Sequence, residues 1–311
     1  MCGPIAFLFP GQGSQAVGMG QAWREAYPQL MALFDEANSI VGYDLQTLCF
    51  DGPAEQLNRT EYTQPALLVT SLIAWRALDA RIRPSAVAGH SLGEYSAIVA
   101  AGGLSFPDAV ALVHKRARYM EEAVPSGSGL VVAILGLAGE VVKDICREAQ
   151  SVGVVAAANF NSPGQVVIAG EKAAVERAME LAKVQGCRRA VPLPVSVPVH
   201  SSLMQPAADR LAPHVHAVPL SDLTVPLFNN VEARPLVRAD EVRRSLIRQL
   251  PSSVLWEQTI RAMWESGIRT FIEIGPGTVL TRLTKRIVPD AALHHVQDPE
   301  SLGKTLTAVR D

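Results

Sequence analysis

A serine lies between two glycines in the sequence AVAGHSLGEYSAI, residues 86–98. Small apolar residues typical of a strand come before this Gly-x-Ser-x-Gly pattern of Gly89, Ser91 and Gly93, and a helical pattern follows it. A strand that turns sharply into a helix needs residues without bulk beside the turn, and the residue at the apex points outward. The pattern therefore predicts either a nucleophilic serine or an ordinary turn in which serine caps the helix.

A serine nucleophile needs a base within hydrogen-bond reach, and that base is most often histidine. His200 follows the proline-rich apolar run VSVPV and precedes the amphipathic pattern SSLMQPAADRL, so it occupies a strand-to-helix corner like that of Ser91. On the residues alone, His200 is either this base or a buried structural histidine.

The other histidines are less well placed for this role. We expect His90 to point away from its neighbour Ser91 and the rest to lie in a helix (His114), in a proline-bounded loop (His214, His216) or near the C-terminus (His294, His295). A metal site at His214 and His216 would lack a third ligand.

The turn GQGSQ, residues 11–15, offers backbone N–H groups at a helix start, which suits an oxyanion or a phosphate. Gly11, Gly13 and Ala16 formally satisfy a dinucleotide fingerprint, but Asp35 and Glu36 fall inside a helical pattern rather than at the end of a second strand.

Arg116 falls on the apolar face of the helical pattern AVALVHKRARYMEEAV. A cation there needs an anion. That anion is either a protein carboxylate or a substrate carboxylate, which the planar guanidinium can bind with two parallel hydrogen bonds.

Composition excludes several classes of function. The 28 Lys+Arg and 30 Asp+Glu give a formal charge of -2, so nothing favours nucleic acid or an anionic membrane as a partner. No apolar run is long enough for a membrane span, and the N-terminus lacks the features of a secretory signal, so we expect a cytoplasmic protein. Four scattered cysteines, Cys2, Cys49, Cys146 and Cys187, predict reduced and mostly buried thiols without a zinc site.

Short apolar runs at residues 5–9, 85–89, 224–228 and 270–274 alternate with longer helical patterns, such as residues 21–41. This alternation predicts an α/β fold with a mostly parallel sheet and with its site at the strand ends. Residues 125–197 differ, since their patterns follow the order β-α-β-β-α-β of a ferredoxin-like unit. We therefore predict a large domain of residues 1–124 and 198–311 with a small inserted domain of residues 125–197, and a ligand cleft between them.

Seven sequence strings in one order resemble the malonyl-CoA:acyl carrier protein transacylases over essentially the whole chain: FPGQGSQ, GHSLGE, KRARYM, NFNSPGQVVIAG, PVSVPVHSSLM, RQL and EIGPGTVL. The resemblance implies an α/β-hydrolase-like large domain. It also implies transfer of a malonyl group from malonyl-CoA to the phosphopantetheine thiol of acyl carrier protein, through a malonyl-serine intermediate.

The resemblance also implies a role for each site residue. Ser91 would carry the acyl group, His200 would be its base, and the backbone carbonyl of Gln249 would orient the imidazole. Arg116 would bind the malonyl carboxylate. The remaining predicted site residues are the oxyanion-hole donors Gln12 and Leu92, the cleft residues Asn159 and Asn161, and Val199 beside the base.

No metal and no resident cofactor are implied, because CoA is part of the substrate and phosphopantetheine belongs to the partner protein. We expect a monomer. Val199 stands where malonyl-selecting polyketide synthase domains often carry Phe and methylmalonyl-selecting ones Ser, which leaves exclusion of an α-methyl group open. After the residue that corresponds to Gln249, the family commonly has an Asn or Ser followed by proline. This chain has LPSSVLW, residues 250–256, instead, and the difference affects where the Gln249 carbonyl is expected to lie.

Two other functions remain alternatives at this point. An acyl hydrolase acting on carrier-protein-bound chains is one, although such relatives tend to lose the arginine that Arg116 represents. An inactive docking partner for carrier proteins is the other, and the presence of Ser91 and His200 argues against it.

Overall fold

The computed structural model describes residues 3–125, 127–195 and 197–310. In these residues the strands are β1 Ile5–Phe9, β2 Ala86–Gly89, β3 Gly129–Leu135, β4 Val155–Ser162, β5 Gln165–Glu171, β6 Arg189–Pro192, β7 Leu227–Phe228, β8 Pro235–Leu236, β9 Thr270–Ile274 and β10 Ala292–Val296. The helices are α1 Gln21–Ala26, α2 Ala32–Val41, α3 Leu45–Asp51, α4 Ala54–Leu57, α5 Thr60–Leu78, α6 Gly93–Ala100, α7 Phe106–Glu122, α8 Gly139–Ala149, α9 Lys172–Val184, α10 Gln205–Ala217, α11 Ala239–Gln249, α12 Trp256–Glu265, α13 Val279–Ile287 and α14 Pro299–Arg310.

The first sheet has the strand order β10-β9-β1-β2-β7-β8. All neighbouring strands are parallel except the pair β7 and β8, which confirms the predicted α/β class with a mostly parallel sheet. Because parallel strands end at one edge of the sheet, the segments after β1, β2, β7 and β9 meet there.

Strand β1 is buried on both faces, as the continuous apolar run IAFLF indicates. Ile5, Phe7 and Phe9 pack into the core cluster that contains α5, whereas Ala6 and Leu8 pack with α12 and α13 on the other side. The sheet therefore lies between two helical layers, which hold the strand ends in fixed register.

The second sheet has the order β4-β5-β3-β6, and all its neighbouring strands are antiparallel. With α8 and α9 packed together, the chain order is β-α-β-β-α-β, the predicted ferredoxin-like arrangement. The domain boundaries after residues 124 and 197 stay a prediction.

Backbone hydrogen bonds link β4 of the small sheet to the segment that follows α11. The N–H of Phe160 donates to the carbonyl of Val254 (2.9 Å), and the N–H of Val254 donates to the carbonyl of Ala158 (2.8 Å). The segment that follows α11 is thus tied to the small sheet, and this segment borders the site described below.

Some sequence predictions were wrong in detail. The helical pattern of residues 21–41 is interrupted, since α1 ends at Ala26 and a 3-10 turn, Pro28–Met31, precedes α2. Tyr27 has φ -139° and ψ 61°. The reason is that a residue before proline is disfavoured in the helical conformation.

Two other segments differ from prediction, and a third forms an additional strand. The strand expected at residues 224–228 is reduced to Leu227–Phe228, and the preceding Pro226 has no N–H to give to a sheet. His214 and His216 lie in the last turns of α10 rather than in a loop, because that helix continues through Pro213. His294 and His295 belong to β10, which the sequence pattern did not reveal.

Among the described helices, none combines the length and the apolarity that crossing a bilayer requires. Cys49 and Cys146 are buried free thiols and Cys187 is a half-buried one, whereas Cys2 lies outside the described residues.

Candidate active site

Ser91 is the apex of the turn between β2 and α6, and its backbone lies in the left-handed region with φ 50°. A Cβ at Gly89 would lie 1.9 Å from backbone atoms of Gly93, and a Cβ at Gly93 would lie 2.0 Å from the carbonyl oxygen of Phe9. Only glycine fits at both positions, so the two glycines permit the sharp turn that exposes Ser91.

Ser91 and His200 form a hydrogen-bonded pair, with 2.8 Å between Ser91 Oγ and His200 Nε2. On the other side of the ring, Nδ1 lies 3.2 Å from the carbonyl oxygen of Gln249 and 3.0 Å from that of Ser252. Carbonyl oxygens only accept hydrogen bonds, so Nδ1 carries the proton and Nε2 is free to accept from the hydroxyl. This tautomer suits a general base.

His200 is only 2 % exposed. Burial, followed by the positive charge of Arg116, lowers the pKa of His200 to about 3, against the opposing effect of the two carbonyl acceptors. The imidazole is therefore neutral and able to accept a proton throughout the neutral range.

Arg116 is fully buried, on the face of α7 that the sequence pattern predicted. Its Nη1 donates to Gln64 Oε1 (2.7 Å), and its Nη2 donates to Gln249 Oε1 (3.0 Å) and to Ser91 Oγ (3.0 Å). No carboxylate oxygen of the described residues lies within 4.0 Å of the guanidinium. Arg116 thus carries a buried positive charge directly beside the nucleophile without a direct ion-pair partner among those residues.

The predicted oxyanion-hole donors lie in the two turns that follow β1 and β2: Gln12 is in the first turn, and Leu92 directly precedes α6 in the second. Their backbone N–H groups have no hydrogen-bond partner among the described residues. The Gln12 side chain is held by Thr60, with 3.2 Å between Nε2 and Oγ1. Two free N–H groups beside a nucleophile are the arrangement that stabilises a tetrahedral oxyanion.

A cavity of about 80 Å³ brings most of the predicted residues together, and it is large enough for several waters or a short acyl group. It is lined by seven of them: Gln12, Ser91, Leu92, Arg116, Asn159, Val199 and His200. Asn161 is not in this lining, and its Oδ1 lies 2.8 Å from Nε2 of His90. His90 itself lines the cavity beside Ser91, so the expectation that it points away from the nucleophile is not confirmed.

A groove of about 410 Å³ adjoins this cavity and shares Leu193 and Val195 with it. It runs between Arg59 and Gly129, from the large part of the fold to the start of β3. Another cavity, of about 470 Å³, lies beside Trp75 and Arg83 at the opposite end of the strands, away from Ser91.

Four residues around Ser91 were missed by the sequence analysis: Gln64, Glu94, Asn230 and Ser252. Gln64 and Asn230 come from segments without a chemical motif, and only the fold brings them to the site. Glu94 stands three residues after Ser91 in GHSLGE, and this closeness in sequence to Ser91 could have indicated that Glu94 belongs to the site.

The other ligand hypotheses gain no geometric support. Asp35 and Glu36 lie in α2, as the sequence pattern indicated, and not at the end of a second strand. Among the described residues, no three His, Cys, Asp or Glu side chains are grouped closely enough to hold a metal ion.

Comparisons with known proteins identify the family of the chain. The family model described as "Acyl transferase domain" matches residues 6–305. A malonyl CoA-acyl carrier protein transacylase of Haemophilus influenzae is 48% identical over 302 residues, which cover 96% of this chain and 97% of that protein. The crystal structure of an acyl carrier protein S-malonyltransferase from Vibrio cholerae superimposes with a TM-score of 0.94 at 47% identity and covers 97% of this chain and 99% of that one.

A third match is a malonyl-transacylase solved in complex with the acyl carrier protein of a type II polyketide synthase. The TM-score is 0.95 at 46% identity, with 98% of this chain and 99% of the matched chain covered.

Proposed function

The chain belongs to the acyl transferase domain family, and we propose that it transfers the malonyl group of malonyl-CoA to the phosphopantetheine thiol of an acyl carrier protein. The observation that carries the proposal is the position of Arg116. Its buried guanidinium lies 3.0 Å from the Ser91 hydroxyl, where the free carboxylate of a malonyl group bound for attack by Ser91 would meet it.

In the first half-reaction, the Ser91 hydroxyl gives its proton to His200 Nε2 while Oγ attacks the thioester carbonyl. The N–H groups of Gln12 and Leu92 stabilise the tetrahedral oxyanion. When that intermediate collapses, the C–S bond breaks and His200 protonates the departing CoA thiolate. Ser91 is left as a malonyl ester.

In the second half-reaction, His200 accepts the proton of the carrier-protein thiol, whose sulfur attacks the ester carbonyl. The C–O bond breaks, and His200 returns the proton to Ser91 Oγ. We propose that the pantetheine arm lies in the groove between Arg59 and Gly129, where Asn159 borders the inner cavity. The malonyl group on Ser91 would fill much of the inner cavity of about 80 Å³ and so limit access of water to the ester.

The malonyl carboxylate also changes the base. The charge of Arg116 contributes to the low pKa of His200, so a carboxylate that neutralises Arg116 raises the pKa of His200 and makes it a stronger base. An acetyl group brings no such charge. Malonyl selectivity would therefore act on the rate of acylation as well as on binding.

Finer features belong to the same proposal. We propose that the protein acts in the cytoplasm as a monomer. We also propose that it needs no metal or resident cofactor, because bonds are made and broken only on the thioester, Ser91 and His200. The acyl carrier protein belongs to fatty acid or polyketide synthesis, the two pathways that use malonyl units in this family.

Intact mass spectrometry tests the proposal. The parent protein and Ser91→Ala are each mixed with malonyl-CoA, acetyl-CoA or methylmalonyl-CoA, and holo acyl carrier protein is then added. We expect a malonyl adduct on the parent only, which moves to the carrier protein. An adduct on Ser91→Ala, or release of free malonate faster than transfer, would reject this function, and the second result would favour an acyl hydrolase.

A further inference from the structure

Glu94, in the first turn of α6, has a fully buried carboxyl group that the reaction steps above do not use. Burial raises the pKa of Glu94 to about 7, although Gln249, Asn230 and Arg116 act in the opposite direction. Its Oε1 has no hydrogen-bond partner, and no cationic side chain lies within 4.0 Å, among the described residues. A buried acid without a direct counter-charge is costly, and the hydrogen bonds that it accepts offset part of that cost.

Glu94 contacts two residues whose amide side chains surround the turn from Gly89 to Gly93, here called the nucleophile turn. Its Oε2 accepts a hydrogen bond from the backbone N–H of Asn230 (3.0 Å) and another from Nε2 of Gln249 (3.1 Å). Asn230 follows β7 and Gln249 ends α11, so one oxygen atom joins three separate segments of the chain.

The two amides bind three backbone groups of the turn. Asn230 Oδ1 accepts from the N–H of Ser91 (2.7 Å), and Asn230 Nδ2 donates to the carbonyl of Gly89 (2.7 Å). Gln249 Nε2 donates to the carbonyl of Ser91 (3.0 Å). The turn is therefore held on both sides of the residue whose conformation is strained.

Holding this turn matters for the reaction because Ser91 adopts φ 50°, which a residue with a Cβ adopts reluctantly. Relaxation of that angle would move Oγ away from His200 Nε2 and from Arg116 Nη2. Gln249 also supplies a carbonyl to His200 and Oε1 to Arg116. A displaced Gln249 would thus disturb the base and the guanidinium together.

We propose that Glu94 is a positioning residue, which fixes Asn230 and Gln249 by hydrogen bonds and through them holds Ser91, His200 and Arg116 in reactive alignment. It touches neither substrate nor reacting atoms. The inference rests on the proposed function only in taking Ser91 as the acylated nucleophile.

Two substitutions separate hydrogen bonding from charge. Glu94→Gln keeps an oxygen at the position of Oε2 and removes the charge. Glu94→Asp keeps the charge but withdraws the carboxyl group by about 1.5 Å, which is too far for both bonds. We expect Glu94→Gln to acylate Ser91 within about tenfold of the parent rate. For Glu94→Asp we expect a loss of about 10²-fold in kcat with little change in KM for malonyl-CoA.

Glu273 provides the matched control. It is also a buried acid, and its carboxyl group accepts from the N–H groups of Leu280 (3.0 Å) and Thr281 (2.7 Å) at the start of α13, without contact to the nucleophile turn. Glu273→Asp should lower the melting temperature as much as Glu94→Asp and leave the acylation rate per folded molecule unchanged.

Single-turnover acylation by malonyl-CoA, followed by intact mass, measures the rate in each variant. Sulfonylation by phenylmethanesulfonyl fluoride, in which Ser91 Oγ displaces fluoride and His200 takes the proton, measures the same alignment without malonyl-CoA. Its rate should fall in Glu94→Asp even if the malonyl function were wrong.

The proposal is overturned if Glu94→Asp reacts at the parent rate in both assays, or if Glu94→Gln is slow while Glu94→Asp is fast. The second pattern would assign the effect to charge alone. If Glu94→Asp does not fold, a slow Glu94→Gln would overturn the proposal by itself.

Discussion

Nη2 of Arg116 donates a hydrogen bond to Oγ of Ser91 over 3.0 Å, so a buried cation and the nucleophile are in direct contact. The other acceptors of the guanidinium are the neutral amide oxygens of Gln64 and Gln249. These neutral acceptors bind the two Nη groups but leave the charge without a counter-ion, and Nε has no hydrogen-bond partner among the described residues. The site is therefore prepared for an acyl group that carries its own anion.

Replacing Arg116 should change the choice of acyl group. Removal of one partner of a buried charge pair costs roughly 2 to 5 kcal/mol, so we expect Arg116→Ala to lower malonyl transfer by about two to three orders of magnitude. Acetyl transfer should fall far less or rise. Arg116→Lys should recover only part of the loss, because a point charge does not form two parallel hydrogen bonds.

The measurement is the ratio of kcat/KM for malonyl-CoA to that for acetyl-CoA. Arg118→Ala is the control, since this exposed neighbour on α7 lies 3.6 Å from Glu122 and has no other ion-pair partner among the described residues. An unchanged ratio in Arg116→Ala would show that the substrate carboxylate is recognised elsewhere.

The pH dependence should reflect the buried state of His200. An unperturbed histidine would place the acidic limb of the kcat/KM profile near pH 6.5, whereas burial and Arg116 lower the pKa of His200 to about 3. We expect the kcat/KM limb for malonyl-CoA below pH 6.5. If the bound carboxylate neutralises Arg116 as proposed, the limb of the kcat profile should lie at a higher pH than the limb of the kcat/KM profile.

His200→Ala should lose about 10² to 10⁴ in acylation rate while it remains folded. A kcat/KM limb at or above pH 6.5, or near-parent activity in His200→Ala, would contradict the assignment of this base. Circular dichroism of the variant provides the control for folding.

Local sequence was sufficient for the parts of the site that depend on one turn or one helix face. The two glycines around Ser91 indicated the strand-to-helix turn, and the apolar periodicity of α7 indicated that Arg116 is buried. The mostly parallel sheet and the ferredoxin-like unit followed from the alternation of strands and helices. The chemical roles of these residues stay predictions.

Contacts between segments that are distant in the sequence could not be predicted from local sequence patterns. Asn230 binds the N–H of Ser91 from 139 residues away, and nothing in the sequence around FNNVE marks it as part of the site. The carbonyl of Ser252 joins that of Gln249 beside His200 because the segment after α11 is tied to β4. His214 and His216 were misplaced because proline usually ends a helix, whereas α10 continues through Pro213.

The strain at Ser91 should be measurable as stability. Both Ser91→Ala and Ser91→Gly remove the hydroxyl, so their difference isolates the cost of a Cβ at φ 50°. We expect Ser91→Gly to be the more stable by about 1 kcal/mol in denaturant unfolding. Ser96, buried in α6, is the control position. There we expect Ser96→Gly to be less stable than Ser96→Ala by a similar amount, because glycine is unfavourable inside a helix. Equal stability of the two Ser91 variants would mean that the turn is not strained.

The carboxyl group of Glu94 should make the free energy of unfolding depend on pH. Burial raises its pKa from 4.5 to about 7, so the folded protein binds this proton more tightly than the unfolded chain. A group with a raised pKa contributes its stability below its unfolded pKa and loses it as pH rises through the folded value. Relative to Glu94→Gln, the parent should therefore lose about 3 kcal/mol between pH 4.5 and pH 7, since each pKa unit corresponds to about 1.4 kcal/mol. Urea unfolding of both proteins at several pH values across this window measures the difference, and a constant difference would show that Glu94 titrates normally in the folded protein.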